Sequence, residues 1–120
     1  MNDLKLPESE MKVMDILWEA GEISAREAAI KMGQIYGWKK NTTYTVLKNL
    51  QIKGAIQRSE PGFLCKPLVE RAEVGMEEAK SVLDRFYKGS AATFMSAFLS
   101  DESLSESELA KLKDMINQIK

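Results

Sequence analysis

The sequence predicts a mostly α-helical protein with one small β-hairpin, and three observations support this fold class. Apolar residues recur at helical steps of three and four from Pro7 to Gly54 and again from residue 70 onwards. Between these regions, two runs with strand-like spacing flank Glu60-Pro61-Gly62, in which proline and glycine favour a tight reversal. A chain of 120 residues can hold a small domain of about 70 residues and a helical extension.

Two helices and a very short strand are expected first. The first helix covers residues 7–20 and ends at Gly21. Its apolar face consists of Met11, Met14, Leu17 and Trp18. A strand of one or two residues follows at Ile23, and a second helix then runs to about Ile35. The segment Ser24-Ala25-Arg26-Glu27 is typical of a capping box, in which serine and glutamate satisfy each other's free backbone amides.

The third helix begins near Lys39 or Lys40, after a glycine at position 37, and ends at Gly54. Its buried side is predicted to consist of Thr43, Val46, Leu47 and Leu50. Its outer side is predicted to consist of Asn41, Thr42, Thr45, Lys48 and Asn49. The hairpin strands follow at residues 55–59 and 63–67. Three helices and then a hairpin is the order of a winged helix-turn-helix domain, although other small α+β domains share it.

The remaining chain is predicted to form three helices. These cover residues 70–88, residues 91–99 and a final segment that opens with a second capping box at residues 105–108, where Leu104 can staple against Leu109. The final helix carries Leu109, Leu112, Ile116 and Ile119 at spacings of 3, 4 and 3. Such spacing is typical of a seam between two packed helices rather than of a solvent face.

These helices carry more large apolar side chains than a domain of about 70 residues with its own core can cover, and each such side chain gains roughly 1.5–3 kcal/mol on burial. A second copy of the chain is the simplest cover, whereas packing back on the N-terminal domain is the alternative. We therefore predict a winged-helix domain at residues 1–69 and a helical dimerisation domain at residues 70–120. The predicted dimer contacts are Val82, Phe86, Phe94, Phe98, Leu109, Leu112, Ile116 and Ile119.

The overall charge of −1 hides a marked asymmetry. Residues 36–66 carry six basic side chains against one acidic side chain, a net charge of +5, whereas residues 69–120 carry a net charge of −3. A basic stretch in an otherwise acidic chain favours contact with a polyanion such as DNA, and an ordinary solvated surface is the alternative.

The predicted DNA contacts fall into three groups. The outer side of the third helix suits the major groove, because its asparagine, threonine and lysine side chains can bond base edges, and it lacks the glutamates of many exposed helices. Phosphate contacts are expected from the ends of two helices, at Ser24, Arg26, Lys39 and Lys40. Arg58 and Lys66 on the hairpin can reach the minor groove or its phosphates, although both also fit simple exposed strand positions.

Composition weakens most catalytic and metal-binding interpretations. The chain has no histidine and one cysteine, Cys65, and we can assemble no nucleophile, base and stabiliser from its residues. We therefore predict no enzyme activity, no cofactor and no metal. The single thiol, the absence of a charged-then-apolar leader and the lack of an apolar run near 18 residues predict a cytoplasmic protein with no stable membrane association.

Nearly the whole chain resembles the penicillinase repressor family (BlaI/MecI type, with a copper-responsive branch). The resemblance is carried by Trp38-Lys39-Lys40-Asn41-Thr42-Thr43-Tyr44-Thr45-Val46-Leu47, by Glu10-Met11-Lys12-Val13-Met14, by Lys66-Pro67-Leu68-Val69 and by the stretch from Phe98 to Ser105. It implies a homodimeric winged-helix repressor of β-lactamase or related resistance genes, bound to a palindromic operator. In antibiotic-responsive members a membrane sensor-protease signals β-lactam and the repressor is cut in its dimerisation region, which corresponds here to the Ala97-Phe98 bond. An Ala-Phe pair on a helix also fits ordinary core packing.

The sequence departs from that pattern at three places. Asn49 stands where the family often has arginine, Pro61-Gly62 stands where a basic wing tip is common, and Cys65 replaces an aromatic residue. The paired Cys-x-Cys motifs of the copper-responsive branch are missing, which argues against soft-metal sensing. A protein-interaction adaptor with the same fold and no DNA binding is the alternative function.

Overall fold

The computed structural model describes residues 5–101 and 104–119. Within them the order of elements is α1 (Glu8–Ala20), β1 (Ile23–Ser24), α2 (Ala25–Tyr36), α3 (Lys40–Ile52), β2 (Ile56–Ser59), β3 (Leu64–Pro67), α4 (Arg71–Tyr87), α5 (Ala91–Ser100) and α6 (Glu106–Asn117). This order confirms the predicted fold class, helical with a small β-hairpin, and each helix lies within a few residues of its predicted position.

The hairpin belongs to a three-stranded antiparallel sheet with the order β1-β3-β2. The two-residue strand β1 pairs with β3 through Ile23 opposite Cys65 and Ser24 opposite Leu64. Strand β3 therefore has partners on both sides, and Cys65 at its centre is fully buried. We call the β2-β3 hairpin with its connecting residues 60–63 the wing.

The chain divides into two compact units, Met1–Ala79 and Lys80–Lys120, and the boundary falls inside α4. The first unit contains α1, α2, α3, the sheet and the first half of α4. The predicted division after residue 69, into a DNA-binding domain and a dimerisation domain, stays a prediction.

The core of the first unit collects the apolar faces of its three helices together with residues from the sheet and α4. Its fully buried large side chains are Val13, Met14, Leu17, Met32, Thr43, Leu47, Leu50, Cys65 and Val74. Trp18 packs against this core, and its indole Nε1 donates to the carbonyl oxygen of Val69 at 2.8 Å. Arg71 lies over the Trp18 ring at 4.9 Å and reaches Asp15 at 2.7 Å, so the residues after the wing are fixed to α1.

Local signals explain where α2 begins and ends. The Oγ of Ser24 accepts from the backbone N–H of Glu27 at 3.1 Å, which is the serine half of the predicted capping box. Gly37 ends the helix in the left-handed region, at φ 71°, where a side chain would be strained.

The second unit holds the end of α4 with α5 and α6. Ser90 and Ser105 cap α5 and α6, accepting from the backbone N–H groups of Thr93 and Glu108. The described residues of α5 and α6 include none that is buried, and several large apolar side chains in this unit face solvent. Among the described residues, no helix combines the length and apolar character that crossing a bilayer requires.

Candidate nucleic-acid interface

Helix α3 presents two chemically different sides, and the structure confirms this division. Thr43, Val46, Leu47 and Leu50 are buried in the first unit. The polar outer side is exposed at all five predicted positions, namely Asn41, Thr42, Thr45, Lys48 and Asn49. A helix face of this composition offers hydrogen-bond donors, acceptors and a cation along one continuous strip, which is what base edges in a major groove can accept.

The two ends of α3 are held differently. At the carboxyl end, Nζ of Lys53 lies 2.7 Å from Oε1 of Glu10, a buried residue of α1. At the amino end, Lys39 has an extended backbone and supplies no side-chain cap. The amino end of α3 therefore has no side-chain cap and lies beside the exposed Lys39 and Lys40, an arrangement that favours an anion such as a phosphate.

The predicted contacts on α2 are accessible in different degrees. Arg26 is exposed, whereas Ser24 is half-buried and its Oγ is already engaged as the cap of α2. The Ser24 hydroxyl proton can still donate to a phosphate oxygen, because the cap uses only an oxygen lone pair.

The wing separates its two predicted cations. In the register of β2 and β3, Gln57 lies opposite Lys66 and Arg58 lies opposite Cys65. Directly opposed residues share a face of an antiparallel sheet and successive residues alternate, so Arg58 and Lys66 lie on opposite faces of the wing. The two side chains therefore leave the wing in opposite directions.

Arg58 lies on the side of the wing that faces α3. An open groove between the two elements is lined by Tyr44, Lys48, Gln51, Ile52, Arg58 and Phe63. The structure therefore brings Lys48 and Arg58 to one concave surface, and Lys66 is not part of it.

Sequence reasoning missed the remaining residues of this groove. Tyr44, Lys48 and Gln51 are spaced four and three along α3, so a helical stripe through the predicted Lys48 would have included its two neighbours. Phe63 carries no such signal, because its position depends on the conformation of the wing tip, where its φ is 51°.

Cys65 has the surroundings of a structural thiol. Burial raises the pKa of the Cys65 thiol, and the positive charge of Arg58 opposes this effect only in part. Its Sγ donates to the carbonyl oxygen of Phe63 at 3.8 Å. A protonated, buried thiol is a poor nucleophile and a poor metal ligand.

Comparisons with known proteins agree with this architecture. The family model described as "Penicillinase repressor" matches residues 6–118. The chain is 25% identical to the penicillinase repressor of Bacillus licheniformis over 118 residues, which covers 97% of this chain and 92% of that protein. It is 26% identical to the methicillin resistance regulatory protein MecI of Staphylococcus aureus strain N315 over 116 residues, covering 95% and 94% of the two chains.

Solved structures show the same fold. The DNA-binding domain of the repressor BlaI aligns with a TM-score of 0.55 at 24% identity, covering 61% of this chain and 93% of that domain. The monomeric form of Bacillus licheniformis BlaI in complex with the blaP half-operator aligns with a TM-score of 0.54 at 24% identity, with the same coverage. Because the family model spans nearly the whole chain, this protein belongs to the penicillinase repressor family, whose members are transcriptional repressors rather than enzymes.

Proposed function

We propose that this protein represses transcription by binding a palindromic DNA operator as a homodimer. The observation that carries the proposal is the outer side of α3, where five polar or basic side chains are exposed in one strip while the opposite side is locked in the core. In this assignment α3 lies in the major groove, where Asn41, Thr42, Thr45 and Asn49 contact base edges and Lys48, which also lines the groove beside the wing, contacts a phosphate. Ser24, Arg26, Lys39 and Lys40 contact phosphates.

The solved complex of a relative supports the choice of DNA as the partner. The protein bound to the blaP half-operator shares the winged-helix fold with this chain. A half-operator is one of two related sites, and a protein with two-fold symmetry matches a DNA site with two-fold symmetry. A repressor must be in the same compartment as the DNA that it binds, so we place this protein in the cytoplasm.

The second unit supplies the surface for dimerisation. Phe86, Ile116 and Ile119 are 69%, 57% and 75% exposed. Leaving apolar side chains of this size in contact with water is unfavourable in free energy. The other predicted contacts are exposed or half-buried, namely Val82, Phe94, Phe98, Leu109 and Leu112. A second copy of the chain would cover these side chains and link two copies of α3.

The same arrangement supports induction by cleavage. Ala97 and Phe98 are exposed on α5, near its end at Ser100, and Phe98 stacks on Phe94 with ring centroids 5.5 Å apart. A membrane sensor-protease that cut this bond would detach α6 from the DNA-binding domain. A repressor reduced to monomers loses the gain of two linked half-sites, about 10²- to 10⁴-fold in affinity. Repression of β-lactamase or related resistance genes would then end with the DNA-reading face unchanged.

The test is a titration of the purified full chain against labelled duplex from its own upstream region, with random duplex as the comparison. Fluorescence anisotropy at several salt concentrations gives Kd, and light scattering gives stoichiometry. The proposal predicts two chains on one specific site and a steep loss of affinity with salt. Equal affinity for both duplexes, or no binding, would contradict it and would favour the adaptor function.

A further inference from the structure

The arginine of the wing is already bonded to a carboxylate of the wing. Nε and Nη2 of Arg58 both lie 3.0 Å from Oε2 of Glu60. The guanidinium also stacks on the ring of Phe63, 3.7 Å from its centroid. The other carboxylate oxygen of Glu60 accepts from the backbone N–H of Phe63 at 3.4 Å. Three residues of the wing therefore fix one another.

The fixed arginine lies where a DNA strand is expected. If α3 occupies the major groove, the groove between α3 and the wing faces the sugar-phosphate strand beside it. Lys48 lines one wall of this groove and Arg58 lines the other. Glu60 occupies Nε and Nη2 of Arg58 and offsets its charge, so a phosphate that reaches the remaining donors of the guanidinium also meets the negative charge of Glu60.

We propose that Glu60 limits the affinity of this protein for DNA by neutralising the Arg58 guanidinium and occupying two of its donor nitrogens. The inference rests on the proposed DNA binding. An exposed ion pair is ordinarily weak because two mobile side chains must be ordered. Here the Phe63 ring orders Arg58 and the Phe63 backbone N–H orders Glu60. Much of the side-chain entropy is therefore already lost through these two contacts, and the ion pair itself costs less. Stacking of this kind is a property of guanidinium that lysine does not share.

A low affinity for one half-site has a use in a dimeric repressor. Phosphate contacts add affinity for every sequence, so each one strengthens the binding of a monomer as well as of a dimer. Because Glu60 neutralises Arg58, occupancy of the operator depends more strongly on two linked half-sites. Loss of dimerisation then releases the DNA more completely.

The test compares the wild-type chain with Glu60→Gln, Arg58→Gln and the double variant, all as full chains. Glu60→Gln removes the charge and keeps an oxygen that can accept from the Phe63 N–H. Both side chains are exposed, so the variants are expected to fold. The matched control is Glu106→Gln, which makes the same charge change at an exposed position of α6. Each protein is titrated against random duplex and against duplex from its own upstream region across a salt series.

Glu60→Gln is expected to bind both duplexes about threefold to tenfold more tightly near 0.1 M salt, with a slope of log affinity against log salt steeper by about 0.9. Arg58→Gln alone is expected to weaken binding, because it leaves the charge of Glu60 unpaired, and the double variant should bind about as tightly as the wild type. Identical behaviour of Glu60→Gln and Glu106→Gln, or a full gain without Arg58, would overturn the inference. Failure of the wild type to prefer its own upstream duplex would count against the repressor proposal instead, because the random duplex still tests Glu60.

Discussion

Lys53 and Glu10 form an ion pair of 2.7 Å in which Glu10 is only 5% exposed. This pair joins α1 to the carboxyl end of α3, the helix proposed to lie in the major groove. The two residues are 43 positions apart. A buried carboxylate needs a partner, since leaving it unpaired incurs the cost of its lost hydration.

We expect Lys53→Met to lower the free energy of unfolding by about 1–3 kcal/mol, because it strands the Glu10 carboxylate. The double variant Lys53→Met with Glu10→Gln should recover part of this loss, since no buried charge then remains. Urea denaturation followed by circular dichroism measures both. Glu8→Gln is the control: it breaks the exposed Glu8–Lys12 pair, 3.6 Å long, and should change stability by less than about 0.5 kcal/mol. An equal loss in the control and in Lys53→Met would contradict this reasoning.

Replacing threonine by valine should change stability on the buried side of α3 and DNA affinity on its exposed side. Thr43 is fully buried, and its Oγ1 has no hydrogen-bond partner among the described residues. We expect Thr43→Val to raise the free energy of unfolding by about 1 kcal/mol and to leave Kd for DNA unchanged. Thr45→Val on the exposed side should leave stability within about 0.5 kcal/mol and weaken binding to the specific duplex. A loss of stability in Thr43→Val would show that its hydroxyl is bonded after all.

Lys48 and Asn49 should differ in what they contribute to DNA binding. Lys48→Ala removes a cation from the groove and is expected to weaken binding to specific and random duplex alike, with a shallower salt slope. Asn49→Ala removes a neutral hydrogen-bonding group and should weaken binding to the specific duplex by about 1–3 kcal/mol with little effect on random DNA. Anisotropy titrations separate the two. Lys113→Ala, exposed on α6, controls for net charge, and an effect there as large as at Lys48 would refute the assignment.

If α6 forms the dimer seam, a single charged side chain on its apolar face should disrupt the dimer. Ile116→Asp places a charge on the proposed seam and should convert the dimer to a monomer at micromolar concentration, which light scattering detects. Affinity for the full operator should then fall about 10²- to 10⁴-fold while affinity for one half-site is retained. Ile35→Asp is the control, because Ile35 is 59% exposed on α2, outside the proposed seam. A dimeric Ile116→Asp variant would exclude this seam.

We expect the free energy of unfolding to depend on pH at alkaline pH because of the buried Cys65 thiol. Its pKa is raised in the folded protein, mainly because it is buried. Above the ordinary thiol pKa, the unfolded chain releases a proton that the folded protein retains, so stability should fall as pH rises through that range and be unaffected well below it. Unfolding of the wild type and of Cys65→Ala between pH 7 and pH 10 measures the difference. Parallel curves for the two proteins would show that the thiol does not contribute.

The sequence predicted the two sides of α3 because helical periodicity depends only on neighbours three and four residues away. It did not predict the Glu10–Lys53 pair or the pairing of β1 with β3, since these join residues that are distant in sequence. The separation of Arg58 from Lys66 was also missed. It depends on strand register, and a shift of one residue would move a side chain to the opposite face of the wing.

The two tryptophans of the chain, Trp18 and Trp38, both pack against the core of the first unit. Trp38 lies two residues before the start of α3, and Trp18 on α1 is bonded to Val69, just after the wing. The intrinsic tryptophan fluorescence of this protein therefore reports on the packing of the first unit. Loss of that packing on unfolding can thus be followed by tryptophan emission in an unlabelled sample.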